Sequence, residues 1–259
     1  MSEPITFNIE NQIARVTFSR PEQHNAISYN GWLKLIEIVN NIEEDSSIRS
    51  VVFSGEGEKA FSAGADIKDF ETHRKDSKTA KTYSAAFDGA LDAIEALSVP
   101  TISMIRGICV GGGCELSMAT DIRIASNKSR FGIPVAKLGI LVGYREMKRL
   151  VNLVGPGNAS YILLSGRLID SAEAFRMGLI TQLVEDSELE ETVLNLANEI
   201  TPLAPLSQKR HKIILQNVIS NQSLDGLDQE LPYTNFDSAD FQEGKEAFIS
   251  RRPPNFKGR

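Results

Sequence analysis

Apolar and polar positions alternate along this chain with two different periods. Ile5, Phe7 and Ile9 stand at every second residue among polar neighbours, and Ile13 to Phe18 form a similar run after the polar "ENQ". Period two marks a strand with one buried face, so residues 5–18 predict a hairpin. "RPEQHNAIS" reads as a loop that ends on Ser28, a good helix N-cap. Trp32, Leu35, Ile36, Val39 and Ile42 then recur at helical spacing on one face. "RSVVFSG" predicts a short buried strand, and "EGEKAFSAGAD" a loop of small residues.

The alternation continues downstream. A long helix is predicted over about Thr79 to Leu97, with Tyr83, Phe87, Leu91, Ile94 and Leu97 on its apolar stripe and Pro100 closing it. "TISMI" predicts a strand that runs into glycines, then a helix from Glu115 to Ala119, then a strand at "DIRIAS". Helical patterns dominate from about Tyr144, interrupted by a short strand at "LITQLV". Strands alternating with helices predict an α/β fold. After about Thr201 the chain is polar and broken ("NQSLDGLDQELP"), yet Leu206, Ile213, Ile214, Val218 and Ile219 keep near-helical spacing. That stripe must pack on the chain's own core or on another subunit. Residues 1–200 therefore predict the core, and 201–259 a helical appendage.

Composition narrows the class. The 259 residues are 41% hydrophobic and 24% charged, as in a soluble globular protein. The net charge of −6 comes without any basic block, so neither nucleic acid nor an anionic membrane is the expected partner. No apolar run approaches the ~20 residues that span a bilayer. "MSEPITFNIE" lacks the basic and apolar regions of a signal peptide, so a cytoplasmic protein is expected. Cys109 and Cys114 are the only cysteines, which fits neither a disulfide framework nor a zinc site. They predict small buried thiols. His24, His73 and His211 are scattered and predict surface roles.

The chemistry concentrates at "GICVGGGCELS". A strand followed by Gly111, Gly112 and Gly113 and then a helix lets backbone N–H groups approach a ligand closely. The run fits a phosphate loop, a tight packing turn or an oxyanion site. The P-loop lysine is absent, and Leu116 stands where a dinucleotide fingerprint needs its last glycine. "FSAGADIKDF" has the same character: Ser62, Ala63, Gly64 and Ala65 precede a helix start predicted at Asp66. Two such loops can each give one N–H to a single oxygen, which suits an enolate developing on a thioester. Glu115 reads either as a helix-start carboxylate that satisfies the dipole or as a proton-handling group.

These stretches carry a resemblance. "SAGADIKDF", "PTISMIRGICVGGGCELSMATDIRIAS", "FGIPVAKLGI", "LLSGRLIDSAEAFRMGLITQLV", the early "RPEQHNAIS" and the final "EGKEAFISRRPPNF" resemble the enoyl-CoA hydratase/isomerase (crotonase) family over nearly the whole chain. The resemblance implies a spiral of β-β-α turns and a C-terminal helical region for trimerisation, giving a homotrimer or dimer of trimers. It implies an acyl-CoA thioester as substrate, with coenzyme A as part of that substrate, and neither a separate cofactor nor a metal. It puts the oxyanion donors on Ala65 and Gly112 and the acid/base role on Glu115. It lays the adenine end of CoA along the backbone of Ala63, Ala65, Asp66 and Ile67, beside the "RPEQHNA" loop. Gly143 matches a glycine whose N–H helps to hold water.

One family feature is missing. The second hydratase glutamate falls at Val135, and valine moves no proton. The loop that is usually small and glycine-rich reads "ILVGYREMKRL" here. Tyr144 is a candidate proton donor at the acyl pocket, and Arg145 a candidate partner for a substrate carboxylate. Each also reads as a solvent-facing or subunit-facing residue of a helix start, and the role of Glu146 is open. Asp69 and Glu71 read mainly as solvated charge. The expected reaction is hydration of a trans-2-enoyl-CoA. Isomerisation, decarboxylation of a malonyl-type thioester and a non-catalytic CoA-binding oligomer are the alternatives.

Overall fold

The computed structural model describes residues 4–220 and 223–259. Met1, Ser2 and Glu3 of the expected core, and Asn221 and Gln222 of the broken polar stretch, lie outside the described residues. The hairpin forms as expected from β1 (Ile5–Glu10) and β2 (Ile13–Phe18), paired antiparallel with Glu10 opposite Ile13. Then come α1 (Tyr29–Glu44), β3 (Ser50–Gly55), β4 (Ala60–Ser62), α2 (Phe70–His73) and α3 (Ser77–Ala96). The middle of the chain gives β5 (Thr101–Ile105), β6 (Ile108–Val110), α4 (Gly112–Met118), β7 (Ile122–Ser126) and β8 (Arg130–Gly132). It continues through α5 (Tyr144–Ser165), β9 (Ile169–Asp170), α6 (Ser171–Met177), β10 (Gln182–Val184) and α7 (Leu189–Ile200). The last helices are α8 (Pro205–Ser220), α9 (Gly226–Thr234) and α10 (Ala239–Ser250).

The strands make two sheets. One has six strands in the order β1-β2-β3-β5-β7-β10, and the other four in the order β4-β6-β8-β9. Successive strands switch sheets: β3 to β4, β5 to β6, β7 to β8. From β5 through β8 each strand pairs in parallel with its counterpart one turn earlier, after which β9 pairs antiparallel with β8 and β10 returns in parallel to β7. This is the expected spiral of β-β-α turns.

Strand β3 is buried on both faces, as parallel strands between layers are. Val51 and Phe53 join a core with Trp32 and Leu35 of α1 and with Tyr83, Leu91 and Ile94 of α3. Val52 faces the other way, with Ile102 and Ile124, onto Leu189, Val193 and Ala197 of α7. Each fully buried Leu, Ile, Val or Phe contributes roughly 1.5–3 kcal/mol. Local signals agree with this packing. The Ser28 Oγ accepts from Gly31 N, and Asp76 and Thr79 cap each other at the start of α3.

Three details differ from the sequence reading. The small-residue loop contains the strand β4, and α4 begins on the glycines themselves, three residues before Glu115. The region from Tyr144 is one long element bent at Gly155 (φ 73°, ψ 164°), ahead of Pro156. Separately from these differences, the C-terminal stripe is not fully packed on the chain's own core: Leu215, Val218, Leu227, Tyr233, Phe248 and Ile249 of α8–α10 are all exposed, and α8 buries no residue. Among the described residues no helix is long and apolar enough to cross a membrane.

Candidate active site

The two small-residue loops meet backbone to backbone. A Cβ on Gly64 (φ +86°) would lie 2.6 Å from the Gly112 nitrogen, and one on Gly113 would lie 2.3 Å from the Ser62 carbonyl oxygen. Only glycine lets α4 close onto β4 at these points. Ser62 pins its side of the junction: its Oγ donates to the Asn25 carbonyl (2.8 Å) and accepts from Gly64 N (3.0 Å). Asn25 in turn donates to the Ala60 carbonyl at 2.7 Å. The "RPEQHNA" loop is thereby fastened beside the second loop, as the resemblance implies.

The Ala65 and Gly112 N–H groups have no hydrogen-bond acceptor among the described residues. Gly112 is the first residue of α4, where a backbone N–H lacks an intrahelical partner. Both residues line a cavity of about 340 Å³. Its apolar wall includes Ile67, Phe70, Phe87, Val135, Leu141 and Val142. Tyr83 also faces it, with its hydroxyl accepting from Trp32 Nε1 at 2.8 Å, and burial raises this phenol to about 12. Arg74 reaches the same cavity, its guanidinium over the Phe70 and Tyr83 rings at 4.9 and 4.8 Å.

Glu115 opens into this cavity and is otherwise buried, with 6% of its surface exposed. Its carboxyl makes no hydrogen bond or ion pair with another described residue. Burial raises its carboxyl to about 8, and repulsion from Glu146 adds to the rise, against the opposing pull of Arg74. The group is therefore mostly protonated at neutral pH. The helix-dipole effect that would favour its ionised form is outweighed by burial.

The remaining expected site residues divide. Ala63, Ile67, Val135 and Gly143 all line the cavity. Asp66 does not: its side chain caps the following turn through Lys68 N (3.0 Å) and pairs with Arg20 (2.8 Å). Tyr144, expected at the acyl pocket, is corrected. It is 97% exposed and outside the lining. Arg145 is engaged with Asp92 of α3. Asp69 accepts from the Tyr29 backbone N–H, Glu71 is exposed, and His73 stacks on Tyr29 at 4.4 Å. Cys109 and Cys114 are buried free thiols, as expected. Among the described residues no group of His, Cys, Asp and Glu is placed to hold a metal ion.

Glu146 is the residue whose role the sequence pattern leaves open. It is 3% exposed and lines the cavity with Glu115. Its own carboxyl is also raised, first by burial. Helix geometry explains the inversion at the start of α5. Residues two apart on a helix point about 200° apart, so the exposed Tyr144 and the buried Glu146 are compatible. The signal that could have found Glu146 is Arg149, one turn later and facing the same way.

Comparison with known proteins gives the family and the fold. The model of the enoyl-CoA hydratase/isomerase family matches residues 8–259. A short-chain-enoyl-CoA hydratase of Clostridium acetobutylicum is 34% identical over 257 residues, covering 96% of both chains. An (E)-benzylidenesuccinyl-CoA hydratase of Thauera aromatica is 33% identical, over 98% of this chain and 99% of that one. The crystal structure of an enoyl-CoA hydratase/carnithine racemase from Magnetospirillum magneticum superposes with a TM-score of 0.96 at 35% identity, covering 100% of this chain and 97% of the other. With its spiral, its paired glycine loops and this family match across nearly its full length, the chain belongs to the enoyl-CoA hydratase/isomerase family.

Proposed function

We propose that this protein adds water to a trans-2-enoyl-CoA, with the N–H groups of Ala65 and Gly112 holding the thioester oxygen and Glu115 as acid/base. The observation that carries this reading is the pair of unpartnered N–H groups at a cavity that also holds a buried carboxyl. As the water oxygen bonds Cβ, the C=C electron pair moves toward the thioester oxygen, and an enolate forms there. Two fixed N–H donors are strongest where that charge develops. A carboxylic acid then returns a proton to Cα as the enolate collapses. Ala63, Ala65, Asp66 and Ile67 would offer backbone to coenzyme A. The short-chain and benzylidenesuccinyl hydratases among the relatives support the reaction class.

The bare apolar faces of α8–α10 support a further part of this reading: a homotrimer, or a dimer of trimers, in which those faces are covered. A cytoplasmic enzyme fits the same picture. Incubation with crotonyl-CoA, followed by loss of the enoyl-thioester absorbance, tests the reaction. Binding without turnover would favour a non-catalytic CoA-binding oligomer. One observation favours a second reading: Val135 lines the cavity where a second carboxylate would be expected. With a single acid/base group, double-bond isomerisation or decarboxylation of a malonyl-type thioester needs only the enolate site and Glu115.

A further inference from the structure

We propose that Glu146 is the second proton-handling group of this cavity, working on water at Cβ from the first turn of α5 while Glu115 works at Cα. The inference rests on the hydration reading and concerns how the chain does without a carboxylate at position 135. Glu146 is as deeply buried as Glu115 and lines the same cavity from the opposite helix. Its Oε2 lies directly over Gly143: a Cβ on that glycine would sit 2.5 Å from it. Gly143 has an ordinary φ of −72°, so the backbone does not require glycine there. What glycine leaves is room for the carboxylate.

The two carboxyls differ in their partners. Glu146 Oε1 faces Arg149 Nη1 at 3.4 Å, while Glu115 has no such cation bonded to it. Arg149 is itself buried and also binds Asp92 and Glu95 of α3, each at 2.7 Å. Asp88 repels the charge on both carboxyls and Arg149 favours it on both, while Asp92 also repels Glu146, and Glu115 feels Glu146 and the opposing pull of Arg74. An adjacent cation favours the ionised form. Arg149 is bonded to Glu146 and not to Glu115, and on that contact Glu146 takes the base role and Glu115 the acid role. Position divides the work in the same way. Glu115 stands three residues after Gly112 on α4, next to the proposed seat of the thioester carbonyl and so of Cα. Cβ is one bond farther out. During hydration one proton leaves water for Glu146 and one leaves Glu115 for Cα. The C–O and C–H bonds form, one O–H bond of water breaks, and the pair keeps its proton count.

The test compares two reactions on the same variants: hydration of crotonyl-CoA, and exchange of the α-hydrogens of butyryl-CoA in D2O read by mass spectrometry. Glu146→Gln is expected to lose hydration on the order of 100-fold or more, with exchange slowed far less. Glu115→Gln is expected to lose both. Hydration by Glu146→Gln within threefold of wild type would overturn the proposal. So would equal loss of both reactions, because that is the mark of a residue that only holds the site together. If the wild type exchanges α-hydrogens but hydrates no trans-2-enoyl-CoA, the hydration reading fails and the proposal with it. Should Glu146→Gln not fold, Glu146→Asp keeps the charge and withdraws the carboxylate by one methylene. A folded Glu146→Asp that hydrates at the wild-type rate overturns the proposal equally.

Discussion

Helix α4 begins on a glycine and α5 directly after one, and both bring a glutamate into the same cavity, yet they do so under opposite conditions. Every residue from Gly112 to Met118 is buried, and α4 presses its backbone against β4. At α5, Tyr144 and Arg145 face outward, and Glu146 is the first residue of the helix to point inward. Glycine at α4 is needed because another backbone is in the way. Glycine at α5 is needed because a side chain is. The start of α4 is rigid and defines where the thioester sits. The start of α5 belongs to a surface helix that lends one group to the interior.

The largest expected effect is at the rigid start of α4. Glu115→Gln should keep acyl-CoA binding and lower kcat by roughly 10²–10⁴, measured by crotonyl-CoA turnover beside a binding titration. Unchanged turnover would remove Glu115 from the chemistry. Next comes the same exchange, glycine to alanine, made at the start of each helix. Gly113→Ala drives a methyl into the Ser62 carbonyl, which cannot shift without breaking the β4 junction. Overpacking of this kind costs about 1–3 kcal/mol or more, read as a lower denaturant midpoint. Gly143→Ala meets only the end of the Glu146 side chain. Its stability should stay within about 0.5 kcal/mol of wild type, while hydration falls as Glu146 is displaced. If both variants were equally unstable, the contrast between the two helix starts would be wrong.

The remaining effect is on the pH dependence of stability. The Glu115 carboxyl is raised from an ordinary carboxylate value to about 8 in the folded chain. A raised value means that the folded state holds the proton more tightly than the unfolded state. The associated stability is full below the unfolded value and is lost as pH climbs toward 8. Glu115→Gln has no proton to lose, so its melting temperature relative to wild type should rise between pH 5 and pH 9. An offset that stays constant over that range would contradict the burial of an uncompensated carboxyl. Activity carries the same signature: hydration should decline above pH about 8 as Glu115 ionises.

The contrast also explains what is legible in the sequence. The α1 and α3 stripes, the hairpin and the buried β3 are readable because a whole face of each is apolar, and burial then follows period. The glycine run and Glu115 are readable because glycine is rare in strands and helices unless something approaches closely. The strands β4, β8 and β9 have three, three and two residues, too few for any period to register. They exist through pairing with chain that is distant in sequence. Glu146 is hidden because its neighbours Tyr144, Arg145 and Lys148 make the segment look like solvent-facing surface. Its burial depends on the charged residues of α3, fifty positions earlier, which hold Arg149. The turn of Asp66 toward Arg20 is hidden in the same way: the sequence places the residue but not its partner.

The alternation of strands between two sheets has a consequence for how the chain reaches this shape. Only β1 and β2 are neighbours both in sequence and in the six-stranded sheet without a helix between them. The pairs β3–β5 and β5–β7 each wait for an intervening strand of the other sheet and a helix to be threaded between them. Loop-closure entropy must be met before such pairs contribute, so the topology belongs with slow folders in which distant contacts dominate. The hairpin is the pair of that sheet whose contacts are local in sequence. Successive windings can then be laid down in order, each resting on the one before. The cavity draws on the β4 junction, α3, α4 and α5, so it closes only when the third winding has docked. A chain halted earlier carries most of its parallel sheet and none of its chemistry.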